Sequence, residues 1–334
     1  MLLVKTMSLD SLATAQEALQ YAIKIEHATI PPYLTALYSL KPGGNNEIRA
    51  LLNGIVFQEM QHMALAANIL NAIGGVPKID SPDFIPSYPG GLPFHIGDRN
   101  GRQLDIHLQR FSIDLVATVF MAIEEPEVPL IFPVHAELAA LMAKEFQTIG
   151  DFYGDLRSQL KAEWFTGDPK RQVSGIVGAV GSLADAQAAI DLIIAQGEGT
   201  TTTPAAPGGQ ELAHYYRFEE ISKGLTLSPS NTPNGFAFGP PALPFDPAGV
   251  WPTVQDPSSK LYPTGTPVRA QSDLFNQTYS NLLRALQRTF DGSPDQLEAA
   301  IGLMFDLKIQ AQKLMSMPLD NGNTASPCFE WAPA

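Results

Sequence analysis

Apolar residues near the N-terminus recur with the spacing of an α-helix, and this periodicity constrains the fold more than any other feature. One apolar stripe runs over residues 10–41 and a second over residues 46–73. Residues three and four positions apart lie on one face of a helix, so each stripe predicts a long amphipathic helix with a buried apolar face. Pro31 and Pro32 interrupt the first stripe and predict a kink or break there, since Pro31 cannot donate to the carbonyl of His27.

The rest of the chain continues this helical pattern, so the sequence predicts an all-α fold. Further helices are predicted from Ser112 to Pro126 and over residues 136–161, 183–196, 210–223, 272–290 and 294–317. Residues 225–270 carry ten prolines with interleaved aromatic residues, which predict an ordered wrap rather than a solvated linker. We expect one domain over residues 1–334, with a helical bundle core at about 10–224, the wrap, and a C-terminal helical pair at 271–334.

Three polar residues occupy positions where the two stripes require apolar ones. Continuing the first stripe places Glu26 in the core, and continuing the second places Glu59 and His62 there. A buried carboxylate costs several kcal/mol unless it is paired or binds a metal. Two inward carboxylates and an imidazole on adjacent helices therefore indicate a cation between them.

The spacing of these residues points to a centre with two metal ions. Glu59 and His62 form a Glu-x-x-His motif, which projects both side chains from one helix face. Helical bundles with two metals use two such motifs and one Glu from each of two other helices. A second copy is present at Glu211 and His214, and Glu198 is the best-placed partner carboxylate. The predicted ligands are Glu26, Glu59, His62, Glu198, Glu211 and His214.

Each of these residues also has an interpretation without a metal. Glu59 and His62 could form a buried hydrogen-bonded pair, and Glu26 could be the partner of a buried arginine. The remaining three are open to local explanations: Glu211 as a favourable charge at a helix N-terminus, His214 as a core histidine, and Glu198 as part of a solvated turn.

Glu145 is the main rival for the second half of the centre. Its stripe also directs it inward, with Thr148 at the position where the motif requires a histidine. Glu124 and Glu125 precede Pro126, and we expect them to be exposed at a helix end.

Composition narrows the function further. The net charge is −13 and no cluster of Lys and Arg is present, which argues against nucleic acid and anionic membrane surfaces as partners. Only 16% of residues are charged. Many helical surfaces are therefore expected to face other protein, within the chain or in a homo-oligomer.

A single cysteine, Cys328, excludes internal disulfides, thiolate zinc sites and iron–sulfur clusters with several cysteine ligands. One thiol fits a reducing compartment, and neither a signal peptide nor an apolar run of membrane-spanning length is evident. We therefore expect a cytoplasmic protein that does not enter a membrane.

Six short segments carry a family resemblance. They read EHATIPPYLTALYS at 26–39, EMQH at 59–62, NILNAIGG at 68–75, TIGDFY at 148–153, QGEG at 196–199 and HYYRF at 214–218. Together they resemble a bacterial ferritin-like family, whose domain is shared with the iminophenyl-pyruvate dimer synthases of violacein and rebeccamycin biosynthesis. The likeness spans roughly residues 10–330. It implies a ferritin-like four-helix bundle with additional helices and long Pro-rich loops.

The resemblance also implies a non-haem metal site that holds iron. The doubled motif sets the expected number of ions at two, and the same ligands tolerate manganese as the alternative. The resemblance carries Glu26, Glu59, His62, Glu198 and His214 into the ligand role, and Glu211 less firmly. The named synthases oxidatively couple two imines of aromatic 2-keto acids, and in the violacein enzyme the domain is part of a much longer chain. The metal and the fold therefore transfer better than the substrate.

The leading hypothesis for function is an oxidoreductase that uses O2 or peroxide on a small organic substrate. The alternative is an iron-binding or storage protein without an organic substrate. A third hypothesis is a scaffold in which the metal is structural.

Overall fold

This computed structural model describes residues 9–98, 102–132, 147–209, 211–232 and 234–333, and its main elements are helices. Eight helices are named here. They are α1 (Leu12–Ser39), α2 (Asn46–Ala72), α3, α4 (Ile149–Gln159), α5 (Leu183–Gly197), α6 (His214–Lys223), α7 (Pro267–Phe290) and α8 (Leu297–Met315). Helix α3 joins an α segment (Ile113–Leu115), a π segment (Val116–Phe120) and a second α segment (Met121–Ile123). The all-α fold predicted from the sequence is confirmed.

Helix α1 begins where its sequence supplies a complete N-terminal cap. The Ser11 hydroxyl accepts from the backbone N–H of Thr14, and the Thr14 hydroxyl accepts from the backbone N–H of Ser11. This capping box satisfies two donors that a helix start would otherwise leave unpaired. Helix α1 therefore begins where the sequence predicts, at the N-terminal end of its apolar stripe.

Of the kink or break expected at the two prolines, the break is wrong, because α1 continues through Pro31 and Pro32 to Ser39. Pro32 has no N–H to donate to the carbonyl of Ala28, four residues earlier. The hydroxyl of Tyr88 donates to that carbonyl instead, at 2.7 Å. A side chain from outside the helix thus replaces the missing hydrogen bond, which the local sequence could not reveal.

The bundle forms around the antiparallel pair α1 and α2. Helices α5, α6 and α7 pack on α2, and α4 and α8 pack on α1. Tyr33 of α1 lies between Phe120 of α3 and Phe218 of α6, with ring centroids at 4.6 and 5.3 Å. These aromatic contacts bring α1, α3 and α6 together at the level where the polar residues are buried.

Several helices begin at residues other than those predicted, and one of them, α7, begins at Pro267 rather than at residue 272. Helix α6 begins at His214 and not near residue 210, and α4 begins at Ile149. Most of the region predicted as the start of the fourth helix, residues 136–146, lies outside the described residues. No described helix has both the length and the hydropathy needed to cross a membrane.

The Pro-rich segment 225–270 starts with a two-stranded antiparallel sheet that was not predicted. Strand β1 (Leu225–Pro229) pairs with β2 (Phe236–Ala242). Further along, the N–H of Trp251 donates to Ser39 O at 2.7 Å, at the end of α1. Backbone hydrogen bonds thus hold this segment against the bundle, while the division into core, wrap and helical pair stays a prediction.

Gly167 packs closely on the C-terminal end of α2, so a substitution at this position tests the packing. Its N–H donates to Ala72 O at 2.8 Å, and a Cβ at this position would lie 1.8 Å from Asn71 O. We expect Gly167→Ala to lower the free energy of unfolding by about 2 kcal/mol or more, because backbone must move to relieve the overlap. Gly154→Ala is the matched control: it lies in α4 with open space around its Cα, so a gain of about 0.5–1 kcal/mol is expected. Chemical denaturation measures both, and equal stability of the two variants would contradict this packing.

Candidate metal centre

The facing sides of α1 and α2 bring three of the predicted ligands together. One ligand atom from each of Glu26, Glu59 and His62 lies within 4.8 Å of the other two, and all three side chains are buried. His62 Nδ1 lies 3.5 Å from Glu26 Oε2. One Glu from α1 and the Glu-x-x-His motif of α2 thus form one group of oxygen and nitrogen donors around a common point.

A second group of donors shares a residue with the first. Glu59, Glu124 and His214 again place one ligand atom each within 4.8 Å of the others, in the buried interior. His214 Nδ1 lies 2.8 Å from Glu59 Oε1 and 3.7 Å from Glu124 Oε2. The rings of His62 and His214 are nearly parallel, with centroids 5.4 Å apart. Glu59 is therefore placed between two adjacent donor sets, as a bridging carboxylate would be.

Two buried polar atoms of this cluster lack hydrogen-bond partners. Glu59 Oε1 and His214 Nδ1 are both inaccessible to water and unpaired, although they lie only 2.8 Å apart. A carboxylate oxygen and an unprotonated imidazole nitrogen are both acceptors, and leaving them buried and unpaired is costly. A cation that both atoms could coordinate removes that cost. The donor set, carboxylate oxygen with imidazole nitrogen, suits first-row metals such as iron and manganese.

Hydroxyl groups orient the carboxylates by binding the oxygens that do not face the cluster centre. Tyr33 donates to Glu124 Oε1 at 2.7 Å, and Tyr153 donates to Glu26 Oε1 at 2.5 Å. Thr29 donates to Glu59 Oε2 at 3.2 Å. Each carboxylate therefore has one oxygen held by a hydroxyl and one left for a cation, an arrangement that supports metal ligands in proteins.

Glutamine side chains hold the far nitrogens of the two imidazoles. His62 Nε2 lies 2.9 Å from Gln196 Oε1, and His214 Nε2 lies 3.0 Å from Gln58 Oε1. In both rings Nδ1 is left facing the carboxylates. A hydrogen bond at the outer nitrogen is the usual way in which a protein orients a metal-binding histidine.

Burial and the crowding of negative charge affect the pKa of Glu59. Burial, followed by the nearby carboxylates of Glu124 and Glu26, raises the pKa of Glu59 well above its usual range. Three acidic side chains so close together repel one another when ionised. A divalent cation, or two of them, would relieve this repulsion and allow all three to ionise.

Comparison with known proteins identifies the family to which this fold belongs. A family model described as Ferritin-like matches residues 19–223, which is more than half of the chain. The chain belongs to the ferritin-like family. It is similar to a crystal structure of a ferritin-like protein from Caulobacter vibrioides, with a TM-score of 0.63 at 24% identity, covering 96% of this chain and 99% of that one. That similarity shows the fold and confirms the ferritin-like bundle predicted from the sequence.

A curated relative agrees with the resemblance drawn from the motifs. Dichlorochromopyrrolate synthase of Lentzea aerocolonigenes is 26% identical over an alignment of 375 positions, which covers 94% of this chain and 35% of that enzyme. The chain thus spans about a third of the length of this relative. The likeness to a ferritin-like family related to such synthases is confirmed.

Within this ferritin-like bundle, Glu198 lies outside both donor groups. Its Oε1 accepts from the N–H of Gly150 at 2.6 Å, at the start of α4. Burial raises the pKa of Glu198 to about 8, outweighing the opposite effect of that hydrogen bond. The structure therefore places the predicted partner carboxylate beside the cluster, bonded to backbone rather than directed at the shared donors.

Glu211 needs a correction, because it does not form a helical Glu-x-x-His pair with His214. Helix α6 begins at His214, so Glu211 lies before the helix and does not share its face. Its side chain is 59% exposed and forms an ion pair with Arg217 at 3.1 Å. Residues three positions apart share a face only when both lie in a helix, and Glu211 does not lie in one.

The residue that sequence reasoning missed is Glu124. We expected it to be exposed at a helix end, but it is 3% exposed and belongs to the second donor group. A signal was available, because Val116, Phe120 and Glu124 are spaced four residues apart on one stripe. Glu125 is half-buried rather than exposed, and the rival residue Glu145 lies outside the described residues.

The ligand sets predict different metal stoichiometries for two Glu→Gln variants. Glu124→Gln should reduce the number of tightly bound Fe(II) or Mn(II) ions from two per chain to one, since it removes a charged donor from the second group only. Glu211→Gln should keep both ions, because this side chain is exposed and an amide oxygen can still accept from Arg217. Elemental analysis with calorimetric titration gives both numbers. Loss of an ion in Glu211→Gln, with two retained in Glu124→Gln, would restore the original assignment.

Proposed function

We propose that the protein is a non-haem di-metal oxidoreductase that holds two iron ions and oxidises a small organic molecule with O2 or peroxide. The observation that supports this most is Glu59, one buried carboxylate shared by two donor groups. The proposed ligands are Glu26 and His62 for one ion, Glu124 and His214 for the other, and Glu59 between them.

Iron fits this donor set better than metals that prefer sulfur. The described donors in the cluster are carboxylates and imidazoles, and the single thiol, Cys328, is buried elsewhere near Ser272. Carboxylate and imidazole ligands suit iron and also accept manganese, which stays the alternative.

Bound iron would supply the redox chemistry for a two-electron oxidation, in which the organic molecule loses two electrons and two protons and O2 becomes H2O2. The chain itself supplies position and shielding. Tyr33 and Tyr153 hold the outer oxygens of Glu124 and Glu26. All five proposed ligands are buried, so bulk water is excluded from the centre and charge interactions there are strong.

The substrate class is proposed from the resemblance to the iminophenyl-pyruvate dimer synthases, and a relative named as a synthase supports it. We infer that a nitrogen-containing aromatic molecule, such as an imine of an aromatic 2-keto acid, is the substrate. Self-association of the chain and a cytoplasmic location also remain proposals. Because this chain spans only about a third of that relative, the substrate is tested separately from the oxidase reaction.

Oxygen consumption distinguishes an oxidase from a storage protein. With two Fe(II) per chain, O2 uptake should continue for many turnovers when an aromatic amino acid is converted to its imine in the same solution. Without that substrate, uptake should stop once the bound iron is oxidised. Glu59→Gln should abolish turnover, because it weakens both ion sites, whereas Glu17→Gln, at an exposed position of α1, should retain it.

Three results would contradict parts of this proposal. Uptake of many iron ions into a large assembly, with no dependence on an organic molecule, would indicate storage. Iron-loaded protein inert to both O2 and peroxide would exclude the oxidase function. Turnover with other organic molecules, but not with imines, would reject only the substrate class.

A further inference from the structure

We propose that Arg217 sets the tautomer of His214 through the amide of Gln58, so that Nδ1 of His214 is the atom that binds metal. This inference rests on the proposed metal centre, but it concerns the proton on the ring and can be tested without a metal. It also gives Glu211 a role other than that of a ligand.

Arg217 determines which way the Gln58 amide faces. An arginine guanidinium can only donate hydrogen bonds, and its Nη2 lies 2.8 Å from Gln58 Oε1. That contact requires the amide oxygen of Gln58 at this position. The amide nitrogen then faces the other way, where it donates to Glu211 Oε2 at 3.1 Å. Both ends of the Gln58 amide are thus assigned by charged partners.

The orientation of Gln58 in turn determines where the His214 ring carries its proton. His214 Nε2 lies 3.0 Å from Gln58 Oε1, which can only accept. In a neutral imidazole one nitrogen donates and the other accepts, so Nε2 must carry the hydrogen. Nδ1 is then left with a lone pair, 2.8 Å from Glu59 Oε1 and 3.7 Å from Glu124 Oε2. The unpaired state of Nδ1 follows from this chain of hydrogen bonds.

Arg217 is itself held in place by its surroundings. The residue is buried, and its Nε donates to Leu212 O at 2.5 Å. Its Nη2 pairs with Glu211 at 3.1 Å, which supplies the counter-charge that a buried guanidinium needs. A Cβ on Gly54 of α2 would lie 3.1 Å from Nη1, so the absence of a side chain there makes room for the guanidinium. The network is therefore built from α2, α6 and the segment before α6.

The other half of the centre lacks this charged anchor and provides an internal control. His62 Nε2 contacts Gln196 Oε1 at 2.9 Å. Among the described residues the Gln196 amide has no second side-chain partner, and no arginine assigns its orientation. Loss of Arg217 should therefore affect the ion held by His214 and leave the ion held by His62 unchanged.

The test compares variants that keep or remove the acceptor in front of His214. Arg217→Met removes the donor to Gln58 Oε1 and also the cation that holds Glu211 beside the amide nitrogen, so both fixed partners of the amide are lost or released. Gln58→Leu removes the amide itself. Arg217→Lys keeps a donor-only group, and Gln58→Glu keeps an acceptor-only group. Circular dichroism identifies which variants fold, and the Gln58 pair tests the inference if Arg217→Met does not.

Nitrogen-15 NMR of the histidine rings reads the tautomer in metal-free protein at pH 9, where imidazole is normally neutral. Wild type, Arg217→Lys and Gln58→Glu should show His214 with its proton on Nε2. Arg217→Met and Gln58→Leu should show a substantial fraction on Nδ1. A wild-type tautomer in both of the latter variants would overturn the proposal, whether or not any metal binds.

Titration with Fe(II) provides the second readout. Arg217→Met and Gln58→Leu should weaken the binding of one ion by about 10- to 100-fold, the usual effect of removing an outer partner of a metal-binding histidine. The other ion should bind as in wild type. Equal weakening of both ions would show a general structural role and contradict the inference. If wild type binds no metal, the proposed function fails, while the NMR result still decides the tautomer.

Discussion

The structure depends on how three carboxylates, Glu26, Glu59 and Glu124, are accommodated in its interior. Each is nearly inaccessible to water, and burial, followed by the nearby charges of Glu124 and Glu26, raises the pKa of Glu59 well above its usual range. Ionised groups in such a position cost several kcal/mol each unless opposite charge is present. The surrounding hydrogen bonds all act on one oxygen of each carboxylate, so the free oxygens and the imidazole nitrogens converge on the same volume.

A layer of neutral donors and acceptors surrounds this centre and sets its geometry. Tyrosine hydroxyls hold two of the carboxylates, while Gln58 and Gln196 hold the two imidazoles. Neutral partners fix orientation without adding charge to a crowded site. Among the residues that the structure describes, the cationic member of this layer is Arg217, which contacts Gln58 rather than the cluster and is balanced by Glu211 at the protein surface. The apparent second Glu-x-x-His motif thus contains one inward residue and one that belongs to the support.

A contact from a distant segment also explains why α1 is continuous. Two consecutive prolines would ordinarily interrupt α1, and the helix carries Glu26 on one side of them and Tyr33 on the other. Because Tyr88 donates to the carbonyl that Pro32 leaves unpaired, the helix continues and both residues face the centre. Continuity of α1 is therefore a requirement of the site as well as of the bundle.

The sequence by itself determined the all-α class, most helix positions and four of the residues that meet at the centre: Glu26, Glu59, His62 and His214. Apolar periodicity locates a buried face, and a charged residue on that face is visible without coordinates. The spacing of Val116, Phe120 and Glu124 was compatible with an inward Glu124, but the tertiary structure decided that it joins them. The tertiary structure also decided that Glu198 bonds to backbone and that Glu211 turns outward. Those three lie at or beyond helix ends, where periodicity no longer fixes direction and contacts between distant segments decide which side chains are buried.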